Sequence, residues 1–234
     1  MAEITGLTHD TKRIRLRLVQ PREIQFKAGQ YVQVQSNPYP GVSQVVMRSY
    51  SIASPPQESG ALDLIIRRVP NGICTTWIHD HLGIGDKVAV VGPMGDFYIR
   101  DGEGEVLLVA GGSGMGPMVS ILQDLIRRGS DRKVTYFFGA VCRRDLYYLD
   151  EMDAVGSQLP GFTFIPALSQ PESGDLWEGA TGLITEPLGA YLKTIDTSGV
   201  QAYLCGSPGM IQACYTELRE QGIGGDRTFF DPFV

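Results

Sequence analysis

Glu105-Val-Leu-Leu-Val-Ala-Gly-Gly-Ser-Gly-Met-Gly-Pro117 is the stretch whose reading decides the fold. Glu105–Ala110 runs into five consecutive apolar residues, as in a parallel strand buried on both faces. A glycine-rich turn follows. Met118–Arg128 then places Met118, Ile121, Leu122 and Leu125 at helical spacing. In such a strand–turn–helix unit, glycines let backbone approach a phosphate, and the free N–H groups of the helix start meet it. Pro117 suits the first helical turn, where its missing donor costs nothing. A tight turn without a ligand has the same composition, so the motif alone is weak. It lies outside the usual GxGxxG register, and no Lys follows as in a P-loop.

Downstream, strand and helix keep alternating: strand Lys133–Gly139, helix Asp145–Leu159, strand Phe162–Ala167, strand Gln201–Cys205, helix Gly209–Gln221. This rhythm predicts an α/β doubly wound parallel sheet. Upstream the period changes to two. Lys12–Gln20 puts Ile14, Leu16 and Leu18 on one face and Arg13, Arg15 and Arg17 on the other. Tyr31–Gln35 alternates likewise, and Gln44–Ala53, Leu62–Val69 and Lys87–Val91 are further strands. Gly and Pro punctuate the gaps, and one short helix is expected over Thr75–Leu82. Short strands with such turns predict an antiparallel Greek-key β-barrel. The boundary falls at Asp101-Gly-Glu-Gly104, giving domains 1–101 and 102–234.

The 234 residues suit two domains, and the net charge of −6 argues against a nucleic-acid partner. Residues 1–102 carry 11 Lys+Arg against 9 Asp+Glu, and residues 103–234 carry 9 against 17, so the acidic excess sits in the second half. No apolar run approaches the ~20 residues of a membrane span, and no signal peptide is evident. The four cysteines at 74, 142, 205 and 214 lack the spacing of a metal or cluster set, so no metal is expected and a reducing, cytoplasmic compartment is.

Four further stretches carry chemistry. Arg48-Ser-Tyr-Ser51 offers a phosphate fork, a stacking ring and a hydroxyl, although on residue types alone an ordinary strand with a snorkelled Arg is simpler. Asn71-Gly-Ile-Cys-Thr-Thr76 opens the short helix; it reads as a second phosphate turn or as a plain N-cap. Tyr203-Leu-Cys-Gly-Ser-Pro-Gly-Met210 repeats strand, turn, helix; its Cys205 is either at a ligand crevice or structural. The aromatic ending Phe229-Phe-Asp-Pro-Phe-Val234 either packs on the body or covers a planar cofactor. His9, His79 and His81 are read as surface or structural.

As an ordered set, Gly29-Gln-Tyr31, Arg48-x-Tyr50-Ser51, Gly72-Ile-Cys-Thr75, Gly92-Pro-x-Gly95, the Gly111–Pro117 turn and Cys205-Gly-Ser-Pro-Gly-Met210 resemble the ferredoxin–NADP reductase superfamily over the whole chain. Arg144-Asp-Leu-Tyr-Tyr-Leu-Asp-Glu151, Ala167-Leu-Ser-Gln-Pro171, Trp177-x-Gly179 and Asp231-x-Phe233 look like the reductase domain of oxygenase reductases and of the NADH-oxidising subunit of the sodium-translocating quinone reductase. The attached four-cysteine ferredoxin-like domain and membrane helix of that group have no counterpart here, so this is a single-module reductase or a piece of a longer protein. The stand-alone flavin reductases share this length.

The resemblance implies bound FAD, with NADH as donor and NADPH possible. Arg143 and Arg144, after the second strand of the nucleotide domain, stand where a 2′-phosphate could lie. It implies that Arg48 binds the FAD pyrophosphate, Tyr50 lies on the flavin or its ribityl chain, and Ser51 bonds near N5. Backbone from Ile65 to Arg67 would pass the flavin, and Gly72, Cys74 and Thr75 would close on the pyrophosphate. Gly112, Gly114 and Pro117 would hold the nicotinamide nucleotide's phosphates, with Gly206, Pro208 and Met210 in the second turn. Cys205 would sit beside the nicotinamide, and Phe233 would stack over the flavin. Ser51, Cys205 and Phe233 are thus the candidate catalytic residues. The implied reaction is hydride transfer from NAD(P)H to FAD, then electron transfer to a separate acceptor, an iron–sulfur protein or a quinone-linked complex. Docking to a membrane complex is compatible with it. A reductase of free flavin and a relay or regulatory subunit are the alternatives. The short Pro55–Gly60 loop lacks an aromatic for adenine, which favours loose flavin, whereas Asn71–Thr76 favours a held pyrophosphate.

Overall fold

The computed structural model describes residues 1–233. It separates into two compact units, Met1–Ile99 with Gly116–Asp124, and Arg100–Met115 with the chain from Leu125 onward.

The first unit has six strands: β1 (Glu3–Gly6), β2 (Thr11–Arg17), β3 (Tyr31–Gln35), β4 (Met47–Ser51), β5 (Ala61–Arg67) and β6 (Val90–Met94). They form two antiparallel sheets, β1-β2-β5 and β4-β3-β6, joined at an isolated Ile52–Leu64 bridge. The period-two reading holds where it matters. Ile14 and Leu16 face inward opposite Leu64 and Leu62, and they pack with Val32, Val34, Ile52 and Ile66 into one core. Strand β2 stops at Arg17, short of the expected Gln20, and the Leu18 amide turns to the Gly60 carbonyl instead. The expected helix over Thr75–Leu82 is corrected to a four-residue helix, α1 (Ile73–Thr76), followed by a π-helical turn at Trp77–His81 closed by Leu82 N–H on the Trp77 carbonyl.

The second unit is a six-stranded parallel sheet. Its strands are β7 (Val106–Gly111), β8 (Val134–Ala140), β9 (Phe162–Leu168), β10 (Ala180–Thr181), β11 (Gln201–Gly206) and β12 (Thr228–Pro232), in the order β10-β9-β8-β7-β11-β12. Along the chain, helices α2 (Met115–Arg127), α3 (Leu149–Gly156), α4 (Thr185–Leu192) and α5 (Pro208–Glu220) alternate with these strands, Gly116–Asp124 of α2 being counted in the first unit. The chain leaves β7 toward β8 and later returns on its other side as β11, so the strand order reverses there. That reversal opens a crevice at the carboxyl ends of β7 and β11. The helix expected over Asp145–Leu159 is shorter. A 3-10 turn, Arg143–Asp145, leads to Tyr148 at φ +61°, and α3 starts after it. The aromatic ending is a strand: β12 runs parallel to β11, with Phe229 stacked on Tyr203 at 4.8 Å and Phe230 edge-on to Tyr215 at 5.1 Å.

Candidate functional site

In the first unit, β4 lifts Arg48 and Tyr50 opposite Val34 and Val32 and ends on Ser51, which is buried. Arg48 stays exposed and donates to the Met47 carbonyl at 2.8 Å. The Tyr50 hydroxyl is buried without a hydrogen-bond partner of normal geometry among the described residues. Burial pushes this phenol far above its ordinary range, and the neighbouring Cys74 thiol adds to the effect while Arg48 opposes it. Burial also raises the Cys74 thiol. Arg48, Tyr50 and Cys74 therefore share one neighbourhood, although 26 positions separate the first from the last.

Strand β5 supplies an edge. The Asp63 carbonyl accepts from the Ala53 amide and the Asp63 amide donates to Ser54 Oγ, so Ile65, two residues on, turns its backbone N–H and C=O to the same side. The Arg67 side chain is committed elsewhere, to Asp10 at 2.7 Å. Gly72 precedes α1 in extended conformation, and a Cβ there would meet Thr75 Oγ1 at 2.6 Å. Thr75 is buried with its hydroxyl turned to the Gly72 and Val69 carbonyls, so its side chain serves the turn. The first-turn amides of α1 stay outside the helix ladder. A buried hydroxyl beside the Cys74 thiol, an exposed guanidinium and these amides form a donor set that suits an anionic, hydroxyl-bearing ligand.

In the second unit the glycine turn is built around backbone contact. Gly112 has φ +55°, which favours glycine, and a Cβ on Gly114 would lie 2.4 Å from the Cys205 carbonyl. Pro117 falls in the first turn of α2. Across the crevice, Ser207 caps α5 by accepting from the Met210 amide, and Pro208 is its first helical residue. Met210 lies close to both Gly111 and Gly206, where a Cβ would meet its sulfur or methyl at 3.0 and 2.8 Å. Cys205 is fully buried, with its Sγ 3.7 Å from Asp231 Oδ2 on β12. The Phe233 amide donates to the Gly206 carbonyl at 2.9 Å, which brings the chain's aromatic end to this turn.

Sequence reasoning missed Tyr147, whose hydroxyl donates to the Gly112 carbonyl at 2.9 Å, and the role of Asp231 beside Cys205. Both lie in stretches that carry the family resemblance, but their roles depend on partners 35 and 26 residues away.

An oxidoreductase FAD-binding domain family matches residues 1–99, and an oxidoreductase NAD-binding domain family matches residues 108–216. The phenol hydroxylase P5 protein of Acinetobacter pittii (strain PHEA-2) is 36% identical over 222 residues, 94% of this chain and 61% of its own length. One subunit of the Na(+)-translocating NADH-quinone reductase of Neisseria gonorrhoeae (strain ATCC 700825 / FA 1090) is 30% identical over 274 residues, 99% of this chain and 67% of its own. The crystal structure of a cytochrome P450 reductase from Amycolatopsis superposes with a TM-score of 0.87 at 31% identity, covering 99% of this chain and 68% of that one. This chain spans less than two thirds of the length of the first relatives, 61 to 64%. Among the described residues no helix is long and apolar enough to cross a membrane. An FAD-binding antiparallel unit, an NAD-binding parallel sheet and these relatives together make the chain a member of the ferredoxin–NADP reductase superfamily.

Proposed function

We propose that this chain oxidises NADH, with NADPH the alternative donor, and passes the electrons through FAD to a separate acceptor protein carrying an iron–sulfur centre. The observation that carries the reading is the pairing, in one chain, of the Arg48–Tyr50–Cys74 donor set with the double glycine turn at the β7–β11 crevice. Bound FAD would supply the redox chemistry, hydride acceptance at N5 and one-electron release. The residues supply binding and orientation. Arg48 and the α1 turn at Gly72, Cys74 and Thr75 take the pyrophosphate, Tyr50 takes the ring or ribityl chain, and the Ile65–Arg67 edge offers backbone polar groups to the flavin. Ser51 would offer its hydroxyl near the flavin N5. Gly112, Gly114 and Pro117 hold the nicotinamide nucleotide's phosphates, while Cys205, Gly206, Pro208 and Met210 shape the nicotinamide pocket. Phe233, tied to the Gly206 turn, is the aromatic residue that would cover a flavin ring and give way to the nicotinamide.

Relatives described as reductase or electron-transfer components of phenol, xylene/toluene and propane monooxygenases support a protein acceptor, and the relative from the quinone reductase supports a membrane complex as the alternative. Four unpaired cysteines fit a reducing cytoplasm. We assign the FAD role to residues 1–101 and the nucleotide role to 102–234. The test is the visible spectrum of the purified chain followed by anaerobic titration with NADH. Co-purifying flavin that bleaches with NADH supports the reading. A colourless protein that oxidises NADH only with added flavin makes it a free-flavin reductase. Bound flavin inert to both nucleotides leaves a relay subunit.

A further inference from the structure

The π-helical turn Trp77–His81 does something a regular helix would not. Its ring closes with Leu82 N–H on the Trp77 carbonyl, five residues back, and it faces His79 toward β5. His79 Nε2 lies 3.2 Å from the Ile66 carbonyl. A carbonyl can only accept, so Nε2 carries the proton and donates. The backbone of the same residue is held too: Lys12 Nζ donates to the His79 carbonyl at 2.7 Å. Lys12 and Ile66 are direct cross-strand partners on β2 and β5. One strand pair thus grips His79 at its ring and at its main chain.

The two segments joined by this grip are those assigned to the flavin. Ile66 lies between Ile65 and Arg67, whose backbone forms the β5 edge. His79 lies four residues after Thr75, one turn on from the α1 amides. The connection is closed on its other side by Thr75, whose hydroxyl accepts from the Val69 amide at 3.2 Å. It is tied again by Arg68, which grips Asp80 through its two terminal guanidinium nitrogens.

We propose that His79 is a positioning residue for the flavin site: its hydrogen bond to Ile66 sets the β5 edge at Ile65–Arg67 in fixed relation to the α1 amides at Ile73–Thr75. The proposal rests on the reading of these two segments as flavin-binding. It assigns His79 no contact with the cofactor.

The test compares the full chain with His79→Leu, His79→Asn and His79→Gln. FAD affinity is measured by fluorescence quenching on the apo chain, and backbone hydrogen exchange is followed over residues 65–67 and 73–75 without FAD. Gln reaches as far as Nε2; Asn is one bond shorter and Leu donates nothing. Leu and Asn are expected to weaken FAD binding about tenfold, the scale of one lost partly buried hydrogen bond, and to speed exchange at 65–67. Gln is expected to restore both to within about threefold. Asn keeps the test valid if Leu does not fold. Wild-type affinity in folded Asn or Leu variants, or failure of Gln to rescue, overturns the proposal. A wild-type chain that binds no FAD overturns the flavin reading itself, and the exchange data then separate the two failures.

Discussion

The Cys205 thiol and the Asp231 carboxylate face each other 3.7 Å apart across the parallel strands β11 and β12, in direct register. Burial pushes this thiol well above its ordinary range, and the adjacent carboxylate pushes it further. Cys205 therefore acts as a neutral thiol at neutral pH, a donor and not a nucleophile. The other three cysteines are buried as well, and burial pushes Cys214 up to about 12. Ellman's reagent on the folded chain is expected to modify almost none of the four thiols within minutes, and all four after unfolding in guanidinium. Rapid native reaction at Cys205, mapped by mass spectrometry, would contradict this.

Gly114 tests whether the first turn needs bare backbone. A Cβ there would lie 2.4 Å from the Cys205 carbonyl, a main-chain atom that cannot swing aside. Gly114→Ala is expected to cost about 1–3 kcal/mol in denaturant unfolding and to weaken NADH binding. Gly209→Ala is the control. Nothing lies within 4 Å of its added Cβ, so its stability should stay within about 1 kcal/mol of the parent.

Much of this architecture was written locally. The apolar run at Glu105–Ala110 becomes β7, and the alternation at Ile14 and Leu16 becomes the inward face of β2, because burial on two faces or on one leaves a composition pattern. Elements without such a pattern escaped. Helix α4 contains Pro187 and Gly189, both poor helix formers, and its stability comes from burying Leu188 and Leu192 in the core of the second unit. Strand β1 has no fully buried residue and exists through pairing with β2. In the site, residue types at strand ends were legible. The grouping of Tyr50 with Cys74, and of Cys205 with Asp231, was not, because it depends on distant register.

Arg132 is the clearest case of a residue whose importance is tertiary. Its guanidinium donates twice to the Gly104 carbonyl, at 2.9 and 2.7 Å, and also to the Arg100 carbonyl and Gln201 Oε1. The polar stretch Asp101–Gly104 is thereby fastened within the second unit. Arg132→Ala is expected to cost about 2–4 kcal/mol, since several carbonyls lose a charged donor together. Limited proteolysis should then cut within 101–104, where the parent chain resists. Arg132→Lys should fall between, because a point charge cannot reproduce the fork.

Arg143 and Arg144 are adjacent but not equivalent. The Arg143 guanidinium donates to the Asp175 carbonyl at 2.9 Å and its amide donates to the Asp175 carboxylate, so it pins the neighbouring loop. Arg144 is exposed and lies in the fields of Cys142 and Glu172. If a 2′-phosphate binds here, Arg144 meets it. Arg144→Ala is expected to lower kcat/KM for NADPH about tenfold while NADH stays within about twofold, and Arg143→Ala should affect both nucleotides alike. Equal loss for both nucleotides in Arg144→Ala would place the 2′ subsite elsewhere.

His79 should also leave a mark on acid stability. Burial holds its pKa below the ordinary 6.5; Lys12 and Arg68 push the same way, while the Ile66 carbonyl and Asp80 oppose them. Below pH 6.5 the unfolded chain takes up a proton that the folded chain still refuses. Folding stability at this residue is therefore full above that value and is lost as pH falls toward the depressed folded pKa. Gln keeps the donor without the ionisation, so the thermal midpoint of His79→Gln should fall less steeply than the parent's between about pH 6.5 and 5. The two curves should run parallel above pH 7. Parallel curves throughout the acid range would show that His79 titrates alike in both states, and that its burial does not hold the proton off.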